Sequence, residues 1–213
     1  MKIIVFGARG DVGSRVVKEA LSRHHAVTGV VRNERQVSTL PDGATPQVAD
    51  AAATAVIREM MAEHDVAISA IRPPDGQEDA LVPLTRSILD AAANAAKRVV
   101  IVGGAASLKM PDNSGNTVLT APDFLPDSVV PIARACQAQY ELCLSEGRAA
   151  WAYLCPPAML TPGVRTGHYR RGNDALLVSP EGTSAISMED FAVALIDEVE
   201  TPLHVRARFT VAA

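Results

Sequence analysis

The sequence predicts an α/β fold, a doubly wound parallel sheet formed by a single domain over residues 1–213. Three observations carry this. Strand-like and helix-like patterns alternate along nearly the whole chain, the order that builds parallel sheets with right-handed crossovers. The segment DVAISAI at 65–71 is apolar almost throughout, as expected of a strand covered on both sheet faces. Finally, the apolar, β-branched run Ile3-Ile4-Val5-Phe6 leads straight into glycines at 7, 10 and 13 and then into helical spacing.

Taken in order, residues 3–6 read as the first strand, and Val12, Val16 and Ala20 mark one face of the first helix. AVTGVV at 26–31 is a second strand, and a short helix follows Asn33 and ends before Pro41. Residues 46–49 form a brief third strand and 52–63 a helix rich in Ala and Met. After the fourth strand at 65–71, residues 77–96 have helical spacing, with Pro83 at a kink or in the first turn. RVVIVGG at 98–104 is the fifth strand. From Gly103 to about Pro131 the pattern lapses, and an irregular stretch of that length is usually functional or mobile. Helix returns at 132–147, and WAYLCP supplies a sixth strand. RTGHYRRGNDALLV reads as two short strands around Gly172-Asn173-Asp174. Ser187-Met188-Glu189-Asp190 resembles a capping box opening a last helix, with Ala192, Leu195, Ile196 and Val199 inward. RARFTV at 206–211 closes the sheet.

In such sheets ligands bind beyond the carboxyl ends of the strands. The loops after residues 6, 31, 49, 71, 103 and 155 therefore surround one crevice, and the 156–187 insertion is expected to wall its substrate side.

The segment GARGDVG at 7–13 names a ligand class. A helix N-terminus offers unpaired N–H groups and partial positive charge, and glycine lets a pyrophosphate approach the backbone. The spacing is G-x-x-G-x-x-G where the common dinucleotide fingerprint is G-x-G-x-x-G, but its strand–turn–helix context is the one that motif requires. An ordinary tight βα turn is the competing reading. Gly7, Arg9, Gly10, Asp11, Val12 and Gly13 are accordingly the expected diphosphate contacts. Ala70, Ile71, Gly103 and Gly104, at the ends of the fourth and fifth strands, are expected along the rest of the cofactor.

The second strand ends at Arg32-Asn33, 19 positions after Gly13. An NAD site usually has Asp or Glu there for the ribose hydroxyls. A guanidinium instead favours a 2′-phosphate, and Arg9 and Arg35 add charge nearby, so NADPH is expected in preference to NADH. A solvated loop arginine is the alternative. Asp50 is placed either for the adenine amino group or as the N-cap of the next helix.

Bulk properties exclude several classes. Hydrophobic residues make up 48% and charged residues 21%, with a net charge of −4, a globular composition with no basic run to bind nucleic acid. No segment has the uninterrupted apolar length of a membrane span, and the N-terminus lacks a signal-peptide layout, so a cytoplasmic location is expected. The three cysteines make neither a disulfide framework nor a zinc motif. No metal is expected, and a homodimer is compatible with the sequence.

The segments FGARGDVGSRVVKEAL, VVRN, DVAISAI, RVVIVGGAASL, PPAML-TPGVRTGHYR and SMEDFAVALIDEVETPLHVRARFTV together resemble the NADH-flavin reductase-like family of atypical short-chain dehydrogenases, related to NmrA-like and biliverdin-reductase-B-like proteins. The resemblance spans nearly the whole chain. It implies a Rossmann-type fold that binds NAD(P)H and passes hydride to a flavin or a similar small acceptor such as a quinone.

One departure bears on mechanism. Short-chain dehydrogenases that reduce carbonyls use Tyr-x-x-x-Lys with a serine after the fifth strand. Here Tyr140 and Ser107 are the candidate catalytic residues, yet Leu144 stands where Lys is needed, and a core or rim aromatic is the favoured reading of Tyr140. Hydride transfer to a flavin spreads the new charge over a ring system, so it depends on orientation more than on a proton donor. Arg72, Arg165 and His168 are the candidate acceptor contacts, with a surface turn as the alternative for His168. A non-catalytic, redox-sensing regulator and an epimerase or dehydratase remain the competing functions.

Overall fold

The computed structural model describes all 213 residues. Ten strands and five helices follow in the order β1 (Lys2–Phe6), α1 (Asp11–Ser22), β2 (Ala26–Val31), β3 (Thr45–Val48), α2 (Thr54–Ala62), β4 (Val66–Ser69), α3 (Leu81–Asn94), β5 (Arg98–Val102), α4 (Val130–Ser145), β6 (Ala150–Cys155), β7 (Met159–Thr161), β8 (Arg170–Gly172), β9 (Ala185–Ser187), α5 (Met188–Glu200) and β10 (Ala207–Ala212). Eight strands form one sheet in the order β3-β2-β1-β4-β5-β6-β10-β8. All of its pairings are parallel except that of β8 with β10. The strand order reverses between β1 and β4, so the crevice opens there, above the end of β1.

The core is split by the sheet, as the alternation of strand side chains requires. Ile4, Phe6, Val99, Ile101, Trp151 and Tyr153 face α2, α3 and α4. Ile3, Val5, Val100, Leu154, Phe209 and Val211 face α1 and α5. The predicted face of α1 holds: Val16 and Ala20 are fully buried and Val12 half-buried.

Several element readings are refined. The segment after Asn33 is a 3-10 helix over Glu34–Thr39. The predicted 77–96 helix begins at Leu81 after a separate 3-10 turn at Glu78–Ala80, and Pro83 falls in its first turn, where no backbone donor is needed. The two short strands expected around Gly172-Asn173-Asp174 are one: β8 is antiparallel to β10, while Ala175 makes only an isolated bridge to Lys109. The irregular stretch after Gly103 is pinned. Lys109 N donates to Asp174 O at 2.8 Å, Leu176 N to Lys109 O at 2.9 Å, and Leu108, Val118 and Leu176 are buried in the core.

The edges of the sheet differ in kind. β3 is exposed along all four residues and contains Pro46; β8 is only three residues long.

Residues 156–187 do not form a single wall. Beyond β7, the 163–167 segment turns away to pack on α1 and α5. Gly163 N donates to Glu189 Oε2 at 2.8 Å, and Thr166 N and Gly167 N each donate to Asp190 Oδ1 at 2.8 Å. The Ser187 hydroxyl accepts from Asp190 N at 3.0 Å, so the predicted N-cap of α5 is present. No helix is long and apolar enough to cross a membrane.

Candidate dinucleotide site

The turn after β1 is built so that backbone, not side chain, faces the crevice. Gly7 has φ of +79°, a conformation that costs other residues, and a Cβ there would lie 2.4 Å from Ala70 O. A Cβ at Gly13 would lie 2.1 Å from Gly7 O. Gly10 is the N-cap of α1 and supplies no capping side chain. The first helical bond runs from Ser14 N to Gly10 O at 2.8 Å, and the N–H groups of Asp11, Val12 and Gly13 have no acceptor in the protein. Three free amides at a helix N-terminus call for an anion. A diphosphate fits this cradle, and any Cβ at position 7 or 13 would disrupt it.

At the end of β2, Arg32 and Asn33 are exposed, and the guanidinium groups of Arg9, Arg32 and Arg35 have no ion-pair or hydrogen-bond partner; only the Arg32 backbone N–H is engaged, by Gln36 Oε1 at 2.9 Å. Cations left unpaired at this end of the sheet are available to a ligand phosphate. Asp50 is exposed and accepts from Ala52 N at 2.9 Å in a local turn; the N-cap of α2 is Ala53, so the capping reading of Asp50 is not realised. Ala70 is tied to the glycine turn by Ala70 N donating to Phe6 O at 2.9 Å, and Ile71 is half-buried beside it.

Gly103 and Gly104, after β5, are glycines for a packing reason. A Cβ at Gly103 would lie 2.0 Å from the Tyr153 ring, and one at Gly104 2.7 Å from Cys136 Sγ. Beneath them runs a buried polar chain absent from the sequence reading. Gly104 N donates to Tyr153 Oη at 3.3 Å, Tyr153 Oη lies 3.0 Å from Gln139 Oε1, and Gln139 Nε2 donates to Thr85 Oγ1 at 2.9 Å. The signal for it was the hydroxyl of Tyr153 in an otherwise apolar central strand. Burial pushes the thiol of Cys136 up to about 11 and those of Cys143 and Cys155 to about 12, so all three are protonated at neutral pH. No group of His, Cys, Asp and Glu is arranged to hold a metal.

A turn of this construction at the switch point of a parallel sheet is matched by sequence: residues 7–202 fit the family model described as NAD(P)H-binding. The chain belongs to the NAD(P)H-binding family. Its likeness to YwnB of Bacillus subtilis, itself described as uncharacterised, is 33% identity over 213 residues, covering 99% of this chain and 98% of that one. The crystal structure of a candidate NADH-flavin reductase from Streptococcus pneumoniae superposes with a TM-score of 0.90 at 26% identity, covering 100% of this chain and 99% of the other. That of a candidate epimerase from Bacteroides thetaiotaomicron gives 0.89 at 34% identity, with 99% and 96% covered. These likenesses bear out the resemblance read from the sequence.

In this NAD(P)H-binding chain Arg208 brings Ser107 and Tyr140 together, while Arg72, Arg165 and His168 lie apart from them. Ser107 is buried, and its Oγ and carbonyl oxygen both accept from Arg208 Nη1 at 2.8 Å. The Tyr140 ring packs at a tilt of 47° against Tyr153, with centroids 5.1 Å apart, carries the Arg208 guanidinium 4.9 Å from its centroid, and has no hydrogen-bond partner in the protein for its hydroxyl. Burial raises its pKa against the pull of Arg208. Leu144, at the position a lysine would need, is 60% exposed. No pair of proton-donating groups is thus assembled around Ser107 and Tyr140. Arg72 is exposed, 3.4 Å from Asp75. Arg165 is engaged elsewhere: its Nε and Nη2 donate to Glu19 at 2.7 and 2.8 Å on the outer side of α1. The exposed His168 uses only its backbone, donating to Thr166 Oγ1 at 3.1 Å.

Proposed function

We propose that the protein is an NADPH-dependent oxidoreductase that passes hydride to a flat acceptor, a flavin or a quinone-like ring. The observation that supports this best is a contrast. The glycine turn leaves three backbone amides free for an anion, whereas Leu144 stands where the tyrosine–lysine pair of carbonyl-reducing enzymes needs its lysine. A bound nicotinamide dinucleotide supplies the hydride. The chain's own residues then bind and orient. The amides of Asp11, Val12 and Gly13 take the diphosphate, Arg32 with Arg9 and Arg35 takes a 2′-phosphate, and Asp50 lies within the adenine end.

Gly103 and Gly104 present a surface with no side chains, over which a ring can lie flat. Their position is fixed from below by Tyr153, so the work done there is orientation and exclusion of water. An acceptor that accommodates the incoming charge by delocalisation needs no tyrosinate–lysine pair. Arg72 stands at the rim of the crevice as a contact for an anionic acceptor.

The test is consumption of NADPH by the purified protein with FMN, FAD and simple quinones. Turnover above background is expected with at least one of them, and none with any would overturn the reading. A non-catalytic redox sensor is favoured by the same lack of a placed proton donor. Tight binding of oxidised and reduced cofactor without turnover would select it.

A further inference from the structure

A second cavity lies outside the dinucleotide crevice. β8 pairs only with Thr210–Ala212 of β10, so the start of β10 is an uncovered edge facing α4. Between them is a cavity of about 420 Å³ lined by Tyr140, Asn173, Asp174, His204, Arg206 and Arg208. Its lining is unusual for a chain with a net charge of −4: Arg206 and His204 stand beside a single carboxylate, Asp174, that is already paired with the largely buried Arg208. The His204 imidazole is held from behind, its Nδ1 2.8 Å from the buried Glu198 carboxylate and its ring stacked on Phe209 with centroids 4.2 Å apart, so Nε2 is left without a partner. Arg206 spends only Nη1, on Gly147 O at 2.9 Å. The Tyr140 hydroxyl is unpartnered.

The backbone at this place is strained as well. Arg206 has φ of +51° and is held there by its N–H donating to Trp151 O at 2.6 Å. A non-glycine residue kept in this region costs about 1–2 kcal/mol, and such residues cluster at ligand sites. Arg206 and Arg208, two residues apart, both line the cavity.

We propose that this cavity binds a small organic oxyanion, a carboxylate or phosphate, through Arg206, Arg208, the Tyr140 hydroxyl and the Asn173 amide. Asp174, whose Oδ1 accepts from Arg208 Nε at 2.8 Å, is the internal anion that an incoming one displaces or shares. Because Arg208 Nη1 also holds Ser107, the site is wired to the loop that follows Gly104.

The test is a titration of the isotope-labelled, cofactor-free protein followed by NMR, with benzoate in one arm and inorganic phosphate in the other. Saturable shifts are expected at the Arg206 and Arg208 side-chain Nε–H signals and the Asn173 amide; the arm giving the tighter binding identifies the anion. Arg206→Gln should weaken binding at least about fivefold, while Asp174→Asn should tighten it about threefold, as expected for removing an attractive and a repulsive charge. A folding defect cannot produce opposite signs. The proposal is overturned if shifts are confined to the Asp11–Gly13 amides, if neither anion saturates, or if both variants change binding in the same direction. None of these results depends on whether the protein turns over a cofactor.

Discussion

The ring of Tyr153 occupies the space that a side chain at Gly103 would need, 2.0 Å from where its Cβ would stand. Tyr153 is itself fully buried, so the ring cannot swing aside. The loop after β5 is therefore a glycine backbone held against a fixed aromatic. Gly103→Ala should destabilise the fold by at least about 3 kcal/mol, at the upper end of overpacking costs. Tyr153→Phe keeps the ring but strands Gly104 N–H and Gln139, and should cost about 1–3 kcal/mol. Urea denaturation of both variants measures this; a smaller loss for Gly103→Ala than for Tyr153→Phe would contradict it.

Arg32 is the residue expected to separate the two nicotinamide cofactors. On the proposed reading, Arg32→Asp exchanges a cation suited to a 2′-phosphate for a carboxylate suited to ribose hydroxyls. The ratio of kcat/KM for NADPH to that for NADH should fall by about 10–100-fold, the worth of one or more charge-assisted hydrogen bonds. An unchanged ratio would remove the 2′-phosphate argument.

Ala96 ends α3 in a left-handed conformation, φ +52°, with Lys97 N donating to Ala92 O at 2.9 Å and Ala96 N to Ala93 O at 3.2 Å. Glycine is the residue suited to this helix-terminating turn. The Ala96 side chain is exposed, so little packing is lost with it. Ala96→Gly should raise stability by about 1 kcal/mol and Tm by about 2–4 °C, contrary to the usual effect of adding glycine. Thermal unfolding followed by circular dichroism decides it.

Acid should weaken the junction of α1, α5 and the 163–167 segment. Arg165 and then Arg23 hold the Glu19 carboxyl below its ordinary 4.5, outweighing burial. For Asp190, burial pushes the other way, but the bonds from Thr166 and Gly167 prevail and hold it below its ordinary 3.8. Depressed carboxylates stabilise the fold fully above their unfolded-state values, and that contribution is lost as pH falls through the folded ones. Urea midpoints should hold steady from neutrality to about pH 5 and drop below about pH 4.5. Arg165→Gln should shallow that drop; an unaltered slope would show that Glu19 does not contribute to it.

Periodicity and the glycine turn made most of the fold legible, because burial on both faces imposes apolar strands and amphipathic helices locally. Apolar runs in β1 and β4 and the Ser187 cap are of this kind. What escaped notice depends on residues remote in sequence. Arg165 looks like a ligand contact until Glu19, 146 positions away, is seen to hold it. Ser107 and Tyr140 share a neighbour that neither predicts, Arg208 from the last strand, which bonds one and lies over the ring of the other. Buried Glu198, binding Arg98 at 2.5 Å and His204, gave no local sign either. In the site itself, the backbone amides were foreseeable because glycine spacing encodes them, and the Tyr153–Gln139–Thr85 chain was not, because three elements contribute one residue each.

The two margins of the sheet have a bearing on how this protein behaves in concentrated solution. On one side Pro46 cannot donate to an incoming strand, and on the other β8 is too brief and too tightly bound to its own chain terminus, through Arg170 and Ala213, to act as a template. Strand-by-strand growth into fibres is thus disfavoured at both ends.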